Sequence, residues 1–411
     1  MKGKPGKKNS ICLPDFYSKQ IPCGANNLGR VFYVTTVFST LKAFLLPFAQ
    51  DFSSSGWEIH AIASGVPDID LFKKNGLTAI YTVSWSRNPW NVFDFLSATR
   101  KIRRLVETIR PNIVHVHTPV AAFITRFAVR KLRKREGIRL VYTAHGFHFH
   151  PKGKPLANLI YTTLERVAGR WTDRLIVINE EDALASKRLK IVSETRLVIM
   201  PGIGIDPAYY DRQSVSTEKI SRTKEEMGIL PDDATILIVA ELIRRKRHDI
   251  ALKALAVTKT RGLKLLLAGP GPEFRNISRL ARRLGILDRI VFLGYRNDIR
   301  DLISACDIFL LPSSQEGLPR SLMEAMAMET PAIASDIRGS RELLADSCGY
   351  LFPEGDFRAL ASLIDYVVEH PIEAAERAKQ ARKRIEGKYS LGIVLDMHRR
   401  LYNDLMKETS S

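Results

Sequence analysis

Short apolar runs alternate with amphipathic stretches along the first half of the chain. The runs predict strands at residues 30–36, 58–63, 79–83, 113–116, 139–143, 174–178 and 196–200. Apolar residues three and four positions apart predict helices that include residues 41–52, 93–109 and 156–170. Compact apolar strands that alternate with helices are typical of βαβ units, in which helices cover both faces of a parallel sheet.

The same pattern starts again after a break. Residues 201–233 contain Pro201-Gly202, Pro207 and Pro231, which interrupt regular structure. Strands are then predicted at 235–240, 263–268, 290–293, 307–311, 331–334 and 349–352, with helices at 249–259, 273–284 and 319–328 and a helical tail over 372–406. We therefore predict an α/β protein with two Rossmann-like domains. Ligands of such open sheets bind beyond the carboxyl ends of the strands, so a cleft between the domains is the expected site.

The length and composition agree with this prediction. At 411 residues the chain exceeds the roughly 250–300 residues that one core usually serves. No apolar run approaches the roughly 18 residues of a membrane-spanning helix, and no signal peptide is recognisable. Four scattered cysteines without metal-site spacing predict ordinary thiols in a reducing compartment. We expect a cytoplasmic protein, either free or lying on a membrane surface.

Positive charge is concentrated in the first half. Of the net +19, residues 1–205 contribute +17 (31 Lys and Arg minus 14 Asp and Glu) and residues 206–411 contribute +2 (32 minus 30). This asymmetry predicts an anionic partner, and charge that serves only solubility is the alternative. Four residues at helical spacing are predicted to form one face that docks on an anionic membrane: Arg126, Arg130, Arg133 and Lys134. No nucleic-acid-binding module is present, so nucleic acid is not an expected partner.

The strongest chemical signal is the segment from Glu316 to Glu324, which directly follows a predicted strand. Gly317 lets the backbone approach a ligand closely, and Pro319 suits the first turn of a helix. The N–H groups at this helix start would form an anion site suited to a diphosphate: Leu318, Arg320, Ser321 and Leu322. Carboxylates accept hydrogen bonds from sugar hydroxyls, although two solvent-facing glutamates are the simpler alternative.

This segment resembles the E-x7-E motif of family-four retaining glycosyltransferases with the GT-B fold. The resemblance continues through residues 324–327 and 330–336, Gly339 and Glu342, and it extends back over 269–273 and 201–206. Residues 143–149 resemble the subgroup that builds bacterial capsular and exopolysaccharides and lipid-linked oligosaccharides.

The resemblance implies two Rossmann-like domains that face each other across a cleft, with a C-terminal helix that crosses back to the first domain. We assign residues 1–29 to a flexible basic extension and 30–205 to an acceptor domain. Residues 206–385 form the nucleotide-sugar domain, and 386–411 form the returning helix.

The family's roles can be carried onto matching positions. His145, Glu316 and Lys246 would be the catalytic residues, with His145 approaching the transferred sugar from the acceptor side. Glu324 would hold the ribose hydroxyls of the nucleotide. The remaining donor-binding residues implied are Gly317, Leu318, Pro319, Arg320, Ser321, Leu322, Arg245, Gly271, Tyr295 and Arg296. Ser39, Thr40 and His117 would lie on the acceptor side.

The chain departs from the family in two places. The family's Gly-Arg-x4-Lys-Gly stretch puts an arginine and a lysine on the diphosphate. Lys246 matches the lysine, but Glu241 replaces the arginine and Arg247 replaces the second glycine. Because a carboxylate cannot neutralise phosphate, the second cation must come from elsewhere or be absent. A segment that contains Ser39 and Thr40 also replaces the glycine-rich loop after the first strand.

The expected function is transfer of a hexose or N-acetylhexosamine, with retention, from a nucleotide diphosphate sugar to a glycan or polyprenyl-diphosphate-linked acceptor. UDP is the favoured nucleotide and GDP the alternative. We expect no cofactor and no required metal, because cations and helix dipoles can stabilise the diphosphate. Asp68 and Asp70 have D-x-D spacing, but their domain does not fit the fold that uses it. The rival functions are a nucleotide-sugar epimerase, a nucleic-acid-binding protein and a relative that has lost catalysis.

Overall fold

The computed structural model describes residues 28–85, 92–149 and 153–410. The strands of its first half are β1 (Gly29–Val37), β2 (Trp57–Ser64), β3 (Leu77–Thr82), β4 (Ile113–Val116), β5 (Arg139–Ala144), β6 (Arg174–Val177) and β7 (Leu197–Ile199). The helices are α1 (Phe38–Phe44), α2 (Leu46–Ser54), α3 (Ile69–Lys74), α4 (Val92–Ile109), α5 (Pro119–Val129), α6 (Leu132–Arg135), α7 (Pro155–Gly169) and α8 (Glu180–Arg188). These strands form one sheet in the order β3-β2-β1-β4-β5-β6-β7.

The second half repeats the architecture. Its strands are β8 (Ala234–Val239), β9 (Leu263–Ala268), β10 (Ile290–Gly294), β11 (Ile308–Leu311), β12 (Ala332–Ser335) and β13 (Tyr350–Phe352). Its helices are α9 (Thr217–Glu226), α10 (His248–Leu255), α11 (Phe274–Arg283), α12 (Ile299–Ser304), α13 (Arg320–Ala327), α14 (Arg338–Leu343), α15 (Phe357–Glu369), α16 (Pro371–Arg384) and α17 (Leu391–Ser410). The sheet order is β10-β9-β8-β11-β12-β13, and every pair is parallel. The predicted α/β class with two Rossmann-like parallel sheets is confirmed.

The chain packs into two compact units. The described residues of the first unit lie within Met1–Val116 and Val120–Arg139, and those of the second lie within His117–Pro119 and Leu140–Ser411. In the first unit, β1 pairs in parallel with β2 and β4, and β2 pairs with β3. In the second unit, β6 pairs in parallel with β5 and β7. The predicted extension at residues 1–29 lies almost entirely outside the described residues.

The six-stranded sheet of the second unit is buried on both faces. Leu237 of β8 and Leu266 of β9 pack on one side with methionines of α13. Their neighbours Ile238 and Leu267 pack on the other side with α10 and α15. Successive side chains of a strand point to opposite faces, so double burial requires the continuous apolar runs that the sequence contains.

Several predicted helices differ in their bounds. The helix expected over 41–52 is two helices, α1 and α2, and Pro47 lies in the first turn of α2 where its missing N–H costs little. The helix expected over 249–259 ends at Leu255. The tail expected over 372–406 divides into α16 and α17, which a π-helical turn at Ile385–Tyr389 separates, and α15 precedes it. Helix α9 lies in the segment for which no element was predicted.

The last helix, α17, contacts strand β6 of the first sheet. Arg174, at the start of β6 in the first sheet, forms an ion pair with Glu408 near the end of α17. Next to the start of α17, the N–H of Ile205 donates to the carbonyl of Tyr389 at 2.9 Å, and the N–H of Leu391 donates to Ile205 at 2.8 Å. The segment that leaves the first sheet therefore runs beside the segment that returns to it.

Candidate active site

The loops that follow β8 and β11 bring two predicted catalytic residues together. The carboxylate of Glu316 is buried, and the Nζ of Lys246 lies 2.6 Å from its Oε1. Arg245 flanks the pair, with Nη1 3.7 Å from the other carboxylate oxygen and 3.2 Å from the carbonyl of Gln315, to which it donates. The backbone fixes the two loops together, because the N–H of Ser314 donates to the carbonyl of Arg245 at 2.8 Å.

Gly317 lies directly against the loop that carries His145. A Cβ added to Gly317 would lie 2.0 Å from the carbonyl oxygen of His145, and one added to Gly339 would lie 1.9 Å from the carbonyl of Gly317. Neither position can accept a side chain without displacing backbone. The close approach holds the predicted sugar-binding segment beside His145, and only a glycine allows it because it has no Cβ.

Arg338, at the start of α14, joins three segments of this site. Its Nη1 lies 2.7 Å from Oδ1 of Asp182, its Nε donates to the carbonyl of Glu316 at 2.9 Å, and its Nη2 donates to the carbonyl of Phe147 at 2.9 Å. The N–H of Phe147 in turn donates to Oδ2 of Asp182 at 3.2 Å. This network fixes the loop after β5 relative to the Glu316 loop.

Glu324 is buried on α13 and belongs to a separate cluster. Its Oε1 accepts a hydrogen bond from the hydroxyl of Tyr210 at 2.7 Å and another from Nε of Arg320 at 2.7 Å. Burial and the neighbouring carboxylate raise the pKa of Tyr210, so the phenol remains a donor at neutral pH. Among the described residues no hydrogen bond to Oε2 of Glu324 is present, and this oxygen can accept from a ligand hydroxyl.

The start of α13 differs from the prediction by one residue. Pro319 is the N-cap of the helix, with φ −73° and ψ 115°, and α13 begins at Arg320. The N–H groups of Ser321 and Leu322 lie in its first turn, where no acceptor exists within the helix. Leu318 and Leu322 have buried side chains, so only their backbone groups are candidates for ligand contact.

His145 is paired with His117. The Nε2 of His145 lies 3.3 Å from Nδ1 of His117, and the two rings stack with centroids 5.5 Å apart. Burial, together with the nearby His398, lowers the pKa of His145 to about 4. The imidazole is therefore neutral at physiological pH, and it can donate or accept a hydrogen bond but carries no charge to a ligand.

Other predicted donor residues are less closely placed. Gly271 packs against Leu242, since a Cβ there would lie 2.4 Å from the carbonyl of Leu242, which points to a backbone role. Tyr295 is 71% exposed. Arg296 pairs with Asp298, so its guanidinium is already engaged. Ser39 and Thr40, which were predicted for the acceptor side and not for donor binding, lie in the first turn of α1, which belongs to the first unit.

The substituted stretch after β8 has a distinct local structure. Glu241 is exposed, and Arg244 lies 3.3 Å from Glu273 as an ion pair. Arg247 adopts φ 51°, a left-handed conformation that favours glycine. The structure thus explains why the family has glycine at this position. Of the three arginines considered as the second cation, Arg245 lies beside Glu316, whereas Arg244 and Arg247 pair with other carboxylates.

The predicted basic face is wrong in two respects: one of its four residues is buried, and the four do not lie on one continuous helix. Arg126 is 1% exposed, and its Nε donates to the carbonyl of Ala122. Helix α5 ends at Val129, so Arg133 and Lys134 lie on the separate helix α6. Arg130 lies between them, with its guanidinium 3.6 Å from the centroid of the Phe127 ring. The spacing suggested one face only because a single helix was assumed.

Asp68 also has a local structural role. Its carboxylate accepts a hydrogen bond from the N–H of Leu71 at 3.1 Å and caps helix α3. The first aspartate of the D-x-D pair is therefore the N-cap of α3. Within the described ranges, no group of three or more His, Cys, Asp and Glu side chains is arranged to hold a metal ion.

A pocket of about 590 Å³ lies beside the Arg338 network in the second unit. Its lining comes from α7, α8, the Glu316 loop and the start of α14, and includes Asn158, Thr162, Leu184, Arg188, Glu316 and Arg338. We call it the α7 pocket. Because Glu316 lines it, the pocket reaches one of the predicted catalytic residues.

Sequence reasoning missed Tyr210, Asp182 and Arg338. Arg338 directly precedes Gly339, a position of the family motif, and that adjacency is the signal that could have directed attention to it. Tyr210 and Asp182 carry no comparable signal, because their contacts are with residues 114 and 156 positions away.

The fold and this cluster of buried carboxylates, lysine and helix start are typical of two-domain enzymes that act on nucleotide sugars. The chain matches the family models Glycosyltransferase Family 4 over residues 44–208 and Glycosyl transferases group 1 over residues 219–384. It is 34% identical over 358 residues to EpsD of Bacillus subtilis, a protein named as a glycosyltransferase, with 86% of this chain and 91% of that protein covered.

Two further comparisons agree. The chain is 23% identical over 357 residues to the UDP-Gal:alpha-D-GlcNAc-diphosphoundecaprenol alpha-1,3-galactosyltransferase of Escherichia coli, which covers 85% of this chain and 90% of that enzyme. The crystal structure of Anabaena HepE in complex with UDP and glucose superposes with a TM-score of 0.78 at 19% identity, over 92% of this chain and 100% of that chain. The chain belongs to the same glycosyltransferase family as EpsD and has the GT-B fold. It is a glycosyltransferase, as the sequence motifs predicted.

Proposed function

We propose that the enzyme transfers a hexose or N-acetylhexosamine, with retention of configuration, from a UDP-sugar to a glycan or polyprenyl-diphosphate-linked acceptor at the cytoplasmic face of the membrane. The observation that carries this proposal is the contact of Lys246 with Glu316 at 2.6 Å, held beside His145 by the close approach of Gly317. The names of the Escherichia coli and Anabaena proteins support the choice of acceptor and nucleotide.

Each side chain has a defined task in this proposal. Lys246 and the first-turn N–H groups of α13 stabilise the negative charge that grows on the leaving diphosphate. Glu316 orients the donor sugar by accepting bonds from its hydroxyls, and Glu324 does the same for the ribose. Neutral His145 contacts the sugar without adding charge. The bond between the donor sugar and the diphosphate breaks as the acceptor hydroxyl approaches from the same face and forms the new glycosidic bond, so no enzymic nucleophile is needed. The leaving diphosphate takes the proton of that hydroxyl.

The second cation on the diphosphate is assigned to Arg245, which already lies near Glu316. Glu241 is exposed and can rotate away from the bound anion. Restoring the family residue with Glu241→Arg should therefore lower the donor KM only slightly. A large drop in KM would instead show that the site lacks its second cation.

The test is a transfer assay with UDP- and GDP-sugars, a polyprenyl-diphosphate-linked saccharide as acceptor, and EDTA in parallel reactions. We expect one UDP-sugar to give a glycosylated product whose new linkage, read by NMR, has the anomeric configuration of the donor, with equal rates in EDTA. Release of free sugar and UDP without acceptor would favour an epimerase. Absence of turnover with donor binding retained would favour a non-catalytic relative.

A further inference from the structure

Helix α7 presents an apolar strip to solvent. Five residues at three- and four-residue spacing occupy one side of the helix and are unusually exposed for their type: Leu156 (71%), Leu159 (64%), Ile160 (49%), Leu164 (38%) and Val167 (36%). We call this set the α7 strip. Single exposed apolar residues are ordinary, but a contiguous strip marks a surface that is covered in use.

The opposite side of α7 is packed against the protein. Glu165 is buried and accepts a hydrogen bond from the hydroxyl of Tyr142 at 3.2 Å. Gly169 lies so close to Ile191 that an added Cβ would be 2.0 Å from its carbonyl oxygen. The helix is thus held with its one carboxylate inward and its leucines outward, which reverses the usual orientation of a surface helix.

The charges that remain exposed along α7 all have one sign. Lys154 precedes the helix, Arg166 lies in its last turn and Arg170 is its C-cap, and all three are exposed. A helix with an apolar strip flanked by cations and without exposed acids has the properties of helices that lie in the headgroup region of anionic membranes. None of the helices in the described part of the chain combines the length and apolar character that a bilayer crossing requires.

The strip is continuous with the α7 pocket. Asn158 and Thr162, on the flank of α7, line that pocket together with Glu316. Leu184 of α8 lines it as well and is 68% exposed. A surface bound along the strip would therefore lie at the entrance of a pocket that reaches the predicted catalytic residue Glu316.

We propose that α7 is the membrane-binding element of this enzyme, with the α7 strip inserted among the headgroups of an anionic bilayer and the α7 pocket open at the bilayer surface. This inference rests on the proposed function and replaces the basic face around Arg126 as its membrane contact. A lipid-linked acceptor would reach Glu316 through the pocket while its chain stays in the bilayer.

The experiment uses the full chain and vesicles of phosphatidylcholine, with and without phosphatidylglycerol. The variant is Leu159→Glu with Ile160→Glu, since glutamate keeps helix propensity while it opposes insertion and anionic lipid. The matched control is Ile372→Glu, an equally apolar residue that is 87% exposed on α16. Lys154→Gln with Arg166→Gln and Arg170→Gln tests the charges.

We expect the double variant to lose roughly tenfold or more of its partition onto anionic vesicles, and the charge variant to lose its preference for anionic over neutral vesicles, while Ile372→Glu binds as wild type. Transfer to a lipid-linked acceptor in vesicles should fall in parallel with binding, and transfer to a short, water-soluble acceptor should be unchanged. Equal partition of the double variant and wild type would overturn the proposal. The wild type could instead be a dimer, with the double variant a monomer that still binds vesicles as the wild type does. That result would overturn the proposal, because the α7 strip would then be the interface with a second copy of the chain.

The assay also separates the two proposals. If the wild type binds vesicles through α7 but transfers sugar to neither acceptor, the proposed function fails and the membrane surface stands. If it transfers to the soluble acceptor while binding no vesicles, the membrane surface fails and the transferase assignment stands.

Discussion

Arg338 and Asp182 form a buried ion pair, with Nη1 and Oδ1 2.7 Å apart and side chains that are 8% and 2% exposed. Burial raises the pKa of Asp182, and the Arg338 guanidinium opposes that rise. The same guanidinium donates to the carbonyls of Glu316 and Phe147. One side chain therefore links the loops that carry two of the three predicted catalytic residues, Glu316 and His145.

Replacement of Arg338 by Gln should destabilise the protein strongly. The change leaves the Asp182 carboxylate buried without its cation, a loss that typically costs about 3–5 kcal/mol. Urea unfolding would measure it, with Arg341→Gln as the control, because Arg341 is 55% exposed and its pair with Asp336 should contribute about 1 kcal/mol or less. Similar decreases in unfolding free energy in both variants would show that the buried pair stabilises the fold no more than an exposed pair does.

Tyr210→Phe should weaken donor binding without slowing chemistry. Tyr210 acts as a positioning residue through its 2.7 Å hydrogen bond to Glu324, and a bond to a charged group contributes about 1.5–3 kcal/mol. We expect the donor KM to rise about tenfold or more with kcat nearly unchanged. Tyr209→Phe is the matched control, since Tyr209 is the adjacent tyrosine and is 50% exposed. A fall in kcat alone would contradict the positioning role.

Lys246→Ala should lower kcat roughly 10²–10³-fold while the protein stays folded, because a cation that stabilises charge in the transition state is removed. Lys253→Ala serves as the control: its Nζ lies 3.6 Å from Asp249 on α10, away from Glu316. Rates would be measured at saturating donor, and circular dichroism would verify the fold. A Lys246→Ala enzyme with near-normal kcat would remove the residue from the mechanism.

Arg247→Gly should be more stable than Arg247→Ala by about 1–2 kcal/mol, because φ 51° strains any residue with a Cβ. Both variants lose the ion pair with Asp249. The difference between their unfolding free energies therefore measures the cost of a Cβ in the left-handed conformation. Thermal unfolding of the two proteins gives the comparison. Equal midpoints would mean that the loop relaxes out of the left-handed conformation.

Stability should fall as pH drops from about 6.5 to 4. Burial lowers the pKa values of His145, His248 and His398 to about 4, whereas each titrates near 6.5 when unfolded. Between pH 4 and 6.5 the unfolded chain binds more protons than the folded protein, so lowering the pH favours unfolding. His248→Asn should reduce the slope of the unfolding free energy against pH by at most about 1.4 kcal/mol per pH unit. An unchanged slope would show that His248 is not neutral in the folded protein.

Most strands were predictable because each is a compact apolar run that both faces of a sheet must bury. The helix starts and ends were less predictable, as the division of 41–52 and the additional α9 show. Within the site, the motif identified Glu316, Glu324 and Lys246, and the structure joins two of them in one ion pair.

The sequence by itself determined the α/β class, the family and the residues of the donor motif, because these depend on local pattern and on motif spacing. Only the tertiary structure decided which groups meet across 70 or 156 positions, as Lys246 meets Glu316 and Asp182 meets Arg338. It also decided that Arg126 is buried and that the leucines of α7 are exposed. An amphipathic pattern defines the two sides of a helix, but the packing of the whole chain selects which side faces the core.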